Sequence, residues 1–187
     1  RKLFDFILLL PICIPSYVVA IVYGDLFDYS GDFQIILRDK LGIFSDNFHL
    51  PNIRSLPGVI FIFSITLYPY VYIISRSAFS EISKTYSDVG KTLGLDLKKI
   101  FLKIYLPLTA YSILGGVILS ILESLNDFGT VQYFGVDTFT TGIYKTWIGL
   151  GEINIASQLS IYFLFFIFLI IYFQKRFLSL EKIDIKK

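Results

Sequence analysis

A chain of 187 residues that is 55% hydrophobic, 18% aromatic and only 17% charged, with a mean hydropathy of +0.67, is too apolar for a soluble domain of its size. The net charge of +2 lacks the strongly basic balance of a nucleic-acid binder, and no nucleic-acid partner is indicated. The one cysteine, Cys13, lies inside an apolar run, cannot close an internal disulfide, and reads as a small buried hydrophobe.

The chain opens on Arg1, contains no methionine, and reads as a fragment of a longer polypeptide. Residues 3–23 form the first apolar run, roughly 20 residues, enough at 1.5 Å rise to cross a hydrocarbon core of roughly 30 Å. Pro11 and Pro15 are expected to kink it, and no small-residue cleavage pattern follows that would make it a signal peptide. In the polar stretch after it, Phe33, Ile36, Leu37 and Leu41 share one helical face between Asp32 and Gly42. That spacing predicts a short helix on the membrane surface or capping the bundle.

Residues 56–75 are the second span, with Pro69 near its centre. Residues 107–126 are the third, carrying the small pair Gly115 and Gly116, which would let another helix approach closely. A glycine- and threonine-rich connection over 128–151 leads to the fourth span, 153–173, and a basic tail follows. The fold class expected is therefore all-α, a polytopic membrane helix bundle in one transmembrane domain over residues 1–187.

Between the second and third spans lies the only long polar, basic interval, residues 81–107. Ile82, Tyr86, Val89 and Leu93 recur at helical spacing, and Gly94 interrupts as a left-handed helix end would. Asp96 is an N-cap, after which Leu97, Ile100, Phe101 and Ile104 share a face until Pro107 starts the next element. Two short amphipathic helices meeting near a glycine are a docking surface by shape. Of the seventeen lysines and arginines, four (Arg38, Lys40, Arg54 and Lys145) fall on the opposite side of the membrane from this interval and the other thirteen on its own side. The positive-inside bias puts the interval and both ends of the chain in the cytoplasm.

Gly90-Lys91-Thr92 imitates the end of a phosphate-binding loop, but Thr85 stands where the leading glycine belongs and a membrane helix precedes it in place of a strand. The longer spacing matches something else. Asp88-Val89-Gly90, three residues, Gly94, nine residues, Ile104, one residue, then Leu106-Pro107 resembles the EAA loop of binding-protein-dependent ABC importer permeases, E-A-A-x3-G-x9-I-x-L-P. The glycine, isoleucine, leucine and proline agree, while E-A-A has become D-V-G. Gly90 weakens that helical turn by roughly 1 kcal/mol relative to alanine.

A second stretch is similar to the ferric-iron subgroup of these permeases: residues 123–131 (ESLNDFGTV), 133–136 (YFGV) and 140–147 (TTGIYKTW). The runs 67–72 (LYPYVY) and 14–18 (IPSYV) resemble it too. The resemblance implies a type I (methionine-importer-like) permease fold, present in part, in the inner membrane of a bacterium. It implies a translocation component with no catalytic residues, carrying ferric iron or another small solute such as thiamine, phosphonate or sulfate. Asp88, Val89, Gly90, Gly94, Ile104, Leu106 and Pro107 would dock on a cytoplasmic ABC ATPase dimer, with small residues at 90 and 94 allowing close approach. The ATPase would hold ATP and magnesium, and this chain no cofactor. A periplasmic or extracellular substrate-binding protein and a second permease half, in the same polypeptide or a homologous chain, complete the implied assembly, set in membrane lipid.

Glu123 lies roughly 24 Å along the third span from Pro107, within the hydrocarbon depth, so its carboxylate is expected to face the bundle interior or a water-filled path. Asn126 and Asp127 follow at spacings of three and four, which share a helical face. Two readings stand: these residues line the translocation path or its gate, or Glu123 hydrogen-bonds a neighbouring segment such as the irregular stretch at 138–142. A metal site is not indicated. His49 has no second ligand spaced near it, and the thirteen tyrosines fit an interfacial belt. A membrane enzyme using Glu123 and Asp127 as acid and base, and a secondary transporter driven by protons through Glu123, are the competing classes.

Overall fold

In the computed structural model, residues 2–40 and 52–184 are described, and they are helical with no strand among them. His49, Leu41 and Gly42 lie outside the described residues. The elements are α1 (Lys2–Leu9), α2 (Ser16–Leu26), α3 (Asp32–Ile35), α4 (Leu56–Glu81), α5 (Lys84–Thr92), α6 (Leu97–Ile100), α7 (Leu106–Asn126), α8 (Gly129–Tyr133), α9 (Phe139–Tyr144) and α10 (Ile153–Asp184). Among the described residues, three helices are long and apolar enough to cross a membrane: Leu56–Glu81, Leu97–Asn126 and Ile153–Arg176. A fourth crossing requires α1 and α2 to count as one span.

These two helices are bent by 91° at their junction, far more than a kink. Proline sterics supply the reason. Pro11 sits in a tight turn of 3-10 helix at Leu10–Cys13, and Ile14, immediately before Pro15, is extended at φ −109° and ψ 121°. A residue preceding proline is driven out of the helical region by the ring, so the chain turns there. Cys13 is exposed at this break, not buried. The stretch expected to form a short helix after the first span is helical as α3, continued by a wider π turn at Ile36–Lys40.

Pro69, by contrast, is accommodated inside α4, which runs unbroken for 26 residues and ends beyond the expected boundary at 75. The third span departs from expectation in the same way. Pro107 does not start a new element, because α6, a π turn at Phe101–Tyr105 and α7 form one helix of 30 residues. In that turn the Leu106 N–H reaches the Phe101 carbonyl, five residues back. A proline ring crowds the carbonyl four residues before it, and widening the preceding turn relieves the crowding without ending the helix. The connection over 128–151 is ordered rather than irregular, holding α8, α9 and a π turn at Lys145–Gly149.

The chain divides into two compact units. The first, Arg1–Leu67 with Ser124–Phe166, has a core of Ala20, Val59, Ile62, Val131 and Phe134. Here α8 lies against α2 in a reciprocal arrangement. A Cβ on Gly129 would stand 2.8 Å from the Tyr17 Cβ, and one on Gly24 would stand 2.8 Å from a ring carbon of Tyr133. Each helix thus offers a glycine to the other's tyrosine. The second unit is Tyr68–Glu123 with Ile167–Lys187. Of its glycine pair only Gly116 serves a close approach, since a Cβ there would sit 2.9 Å from the Val71 Cα, whereas Gly115 has nothing within 4 Å.

Candidate functional site

The interval 81–107 begins with an N-cap. Ser83 is extended at φ −60° and ψ 140°, and its hydroxyl accepts the Thr85 N–H at 3.3 Å. At the other end of α5, the Gly94 N–H donates to the Lys91 carbonyl at 2.9 Å and the Leu95 N–H to the Gly90 carbonyl at 3.0 Å. Gly94 has φ +73°. This pair of reversed hydrogen bonds around a left-handed residue is a Schellman ending. Asp96 follows as the N-cap of α6, its carboxylate accepting the Lys99 N–H at 2.9 Å. Two helices meeting at a glycine are therefore present as the spacing predicts.

Gly94 is the left-handed helix end that the spacing predicts, and Gly90 has a packing role inside the loop itself. Gly90 is buried against its own chain: a Cβ there would meet Ile100 Cγ1 at 2.9 Å and Ile104 Cδ1 at 3.2 Å. Gly94 has open space around it and is needed for its backbone angle alone. Both shape the loop itself. Ile100 is only 2% exposed and Ile104 half-buried, so these two seal the inner side of the helix pair. The most open apolar groups of the interval are Tyr86, Val89, Leu93 and Leu97, the last two exposed by 73% and 74%. Leu93 and Leu97 lay outside the EAA positions, although their helical spacing had marked them. Asp88 is exposed and 3.7 Å from Lys91, a surface pair of little energetic weight. Leu106 and Pro107 are exposed on the continuous helix. Gly90-Lys91-Thr92 lies within α5 and its last turn, so it forms no phosphate-cradling loop.

Gly94→Ala places a Cβ in left-handed backbone and should cost about 1–2 kcal/mol locally, while Gly94→Asn, which tolerates that region, should cost less. Faster proteolytic cleavage near residue 94 in the alanine variant, with asparagine between it and the parent, is the expected readout.

Glu123 and Asn126 are exposed on α7, and Asn126 is its last residue. Asp127 falls beyond the helix end, so the shared helical face stops short of it. Its carboxylate instead accepts the Thr130 N–H at 2.8 Å and the Thr130 hydroxyl at 3.2 Å, capping α8. Its carbonyl accepts the Thr140 hydroxyl at 3.0 Å. The segment at 138–142 is an ordered helix start, in which the Thr138 and Thr141 side chains cap each other's backbone. Asp127 thus ties α8 and α9 together.

Nearby in the same unit, burial pushes the Tyr133 phenol above its ordinary pKa, its hydrogen bond to Asp25 adds to the rise, and Arg54 opposes it. The phenol stays protonated across the neutral range and donates to Asp25 Oδ1 at 3.0 Å. Among the described residues no group of three or more His, Cys, Asp and Glu is arranged to hold a metal ion.

Residues 1–179 match the family described as binding-protein-dependent transport system inner membrane component. The chain belongs to this family. Its all-helical architecture is accordingly that of a type I ABC importer permease, and such a chain is a membrane-embedded transport component. Among curated proteins it is similar to the sulfate transport system permease protein CysT of Salmonella typhimurium (strain LT2) and of Escherichia coli (strain K12). Each is 26% identical over 133 residues, covering 71% of this chain and 45% of the relative. The chain thus spans under half the length of these relatives. Both names specify sulfate, and neither supports the ferric-iron subgroup expected from residues 123–147.

Proposed function

We propose that this chain is part of the membrane permease of an importer in which a binding protein delivers substrate from outside and a separate ATPase drives translocation. The observation that carries this reading is the family match over residues 1–179 together with the amphipathic helix pair at 84–100, held in shape by its own caps and leaving Leu93 and Leu97 open. Exposed leucines beside lysines 91, 98 and 99 suit a cytoplasmic protein partner, and the basic bias of the interval supports that orientation. The ATPase dimer would carry the nucleotide and magnesium, the second permease half would complete the pathway, and Glu123, Asn126 and Asp127 would stand along the path or its gate.

For substrate, the similarity to sulfate permeases favours a sulfate-class oxyanion. Ferric iron is the second reading, favoured by the resemblance of residues 123–131 and 140–147 to permeases for that ion. Uptake of labelled sulfate and labelled ferric iron by cells producing the complete importer separates them. Sulfate uptake that disappears in a knockout and returns with the gene is the expected result. Iron uptake behaving so would reverse the assignment, and uptake that survives ATP depletion but collapses with the proton gradient would overturn the importer reading itself.

A further inference from the structure

We propose that Arg54, Asp25 and Tyr133 form a clasp that positions α8, and through it the Asp127 cap, making Arg54 a positioning residue for transport. Tyr133 is the last residue of α8, Asp25 lies in the final turn of α2, and Arg54 stands two residues before α4. The Tyr133 hydroxyl donates to Asp25 Oδ1 at 3.0 Å and accepts from Arg54 Nη2 at 3.2 Å. The same guanidinium nitrogen lies 3.5 Å from Asp25 and 3.9 Å from Asp28, and its carbon is 5.0 Å from the centre of the Tyr133 ring. One arginine therefore holds three segments of the first unit at a single point.

The need for such a point follows from the helix it holds. A helix of five residues has no stability of its own, so its placement must come from tertiary contact. Below the clasp, Val131 and Phe134 pack with Ala20, and the reciprocal tyrosine–glycine contacts hold the two helices close. Apolar contact of this kind is non-directional and leaves sliding cheap. A planar guanidinium fork with a phenol between it and a carboxylate fixes register as well. With Arg54 41% and Asp25 69% exposed, the ion pair adds little to global stability, so its loss should leave the unit folded. Any slide of α8 would nonetheless move Asp127, which is bonded to Thr130 within it and to Thr140 in α9.

The test has two arms, only one of which rests on the transport function proposed above. In full-length importer carrying Cys13→Ser and Val131→Cys, the rate of N-ethylmaleimide labelling at residue 131 itself, followed by mass spectrometry of the peptide that contains it, reports how often α8 leaves its core, since residue 131 is 2% exposed. Arg54→Gln should raise that rate about threefold, Tyr133→Phe less, and the exchange Asp25→Arg with Arg54→Asp should restore most of the loss. Unchanged labelling in Arg54→Gln overturns the clasp whatever the substrate proves to be. In the uptake arm, Arg54→Gln at equal membrane abundance should lower the maximal rate about threefold with the half-saturating binding-protein concentration unchanged. A raised half-saturating concentration at unchanged maximal rate would make Arg54 a docking contact and overturn its positioning role. Failure of the parent to take up either sulfate or ferric iron would count against the substrate reading alone, because the labelling arm decides the clasp.

Discussion

Gly116→Leu should destabilise the protein by about 2–3 kcal/mol, because even its Cβ would fall 2.9 Å from the Val71 Cα and helix backbone cannot yield as a side chain can. Thermal unfolding in detergent, followed by loss of the monodisperse peak in size-exclusion chromatography, measures it. Gly115→Ala is the matched control. Nothing lies within 4 Å of its added methyl, and alanine is a better helix former by about 1 kcal/mol, so this variant should be as stable as the parent or slightly more so. Equal loss in both variants would mean that α4 and α7 do not approach at Gly116.

The second large effect separates folding from coupling. Leu93→Asp with Leu97→Asp changes two of the most exposed apolar side chains of the interval, at 73% and 74%, and removes no internal contact of the size that Ile100 makes. The double variant should insert in the membrane and unfold at the temperature of the parent. Co-purification of the ATPase should nevertheless drop at least about tenfold, the loss expected when apolar anchors at the centre of an interface become charged. Ile100→Asp makes the opposite contrast, since Ile100 is buried against Gly90 and its loss should collapse the helix pair itself. Normal ATPase recovery with Leu93→Asp and Leu97→Asp would remove this surface as the docking site.

Much of this arrangement is legible in the chain because membrane helices must satisfy every backbone group internally, which leaves long apolar runs with few alternatives. The spans over 56–75, 107–126 and 153–173 are found as helices, each longer than its apolar stretch. What sequence could not weigh is how each proline is absorbed. Pro15 turns the chain through 91°, Pro69 is carried inside an unbroken helix, and Pro107 is accommodated by a π turn. The same residue type gives three outcomes because the neighbouring turns differ in what can repair the missing hydrogen bond.

The glycine- and threonine-rich connection misled for a related reason. Its composition reads as a loop, but Thr138 and Thr141 cap one another and Asp127 caps α8, so polar residues start helices there. In the candidate site, the EAA spacing fell on a helix pair and Gly94 on its turn. Spacing alone could not show that Ile100 and Ile104 fold back upon Gly90.

The continuity of α6 with α7 gives the second unit a lever. From Leu97 to Glu123 the helix is about 40 Å long, and Gly116 divides it into arms of about 29 and 11 Å, so a tilt of about 5° that moves the leucine end by about 2.5 Å moves the carboxylate end by about 1 Å. The fulcrum is then Gly116, pinned against Val71 with no room to slip. The π turn at Phe101–Tyr105, where the regular hydrogen-bond ladder is interrupted, is the joint near the handle. Stiffening that joint would sharpen the stroke, and loosening it would let the handle swing while the far end stays still.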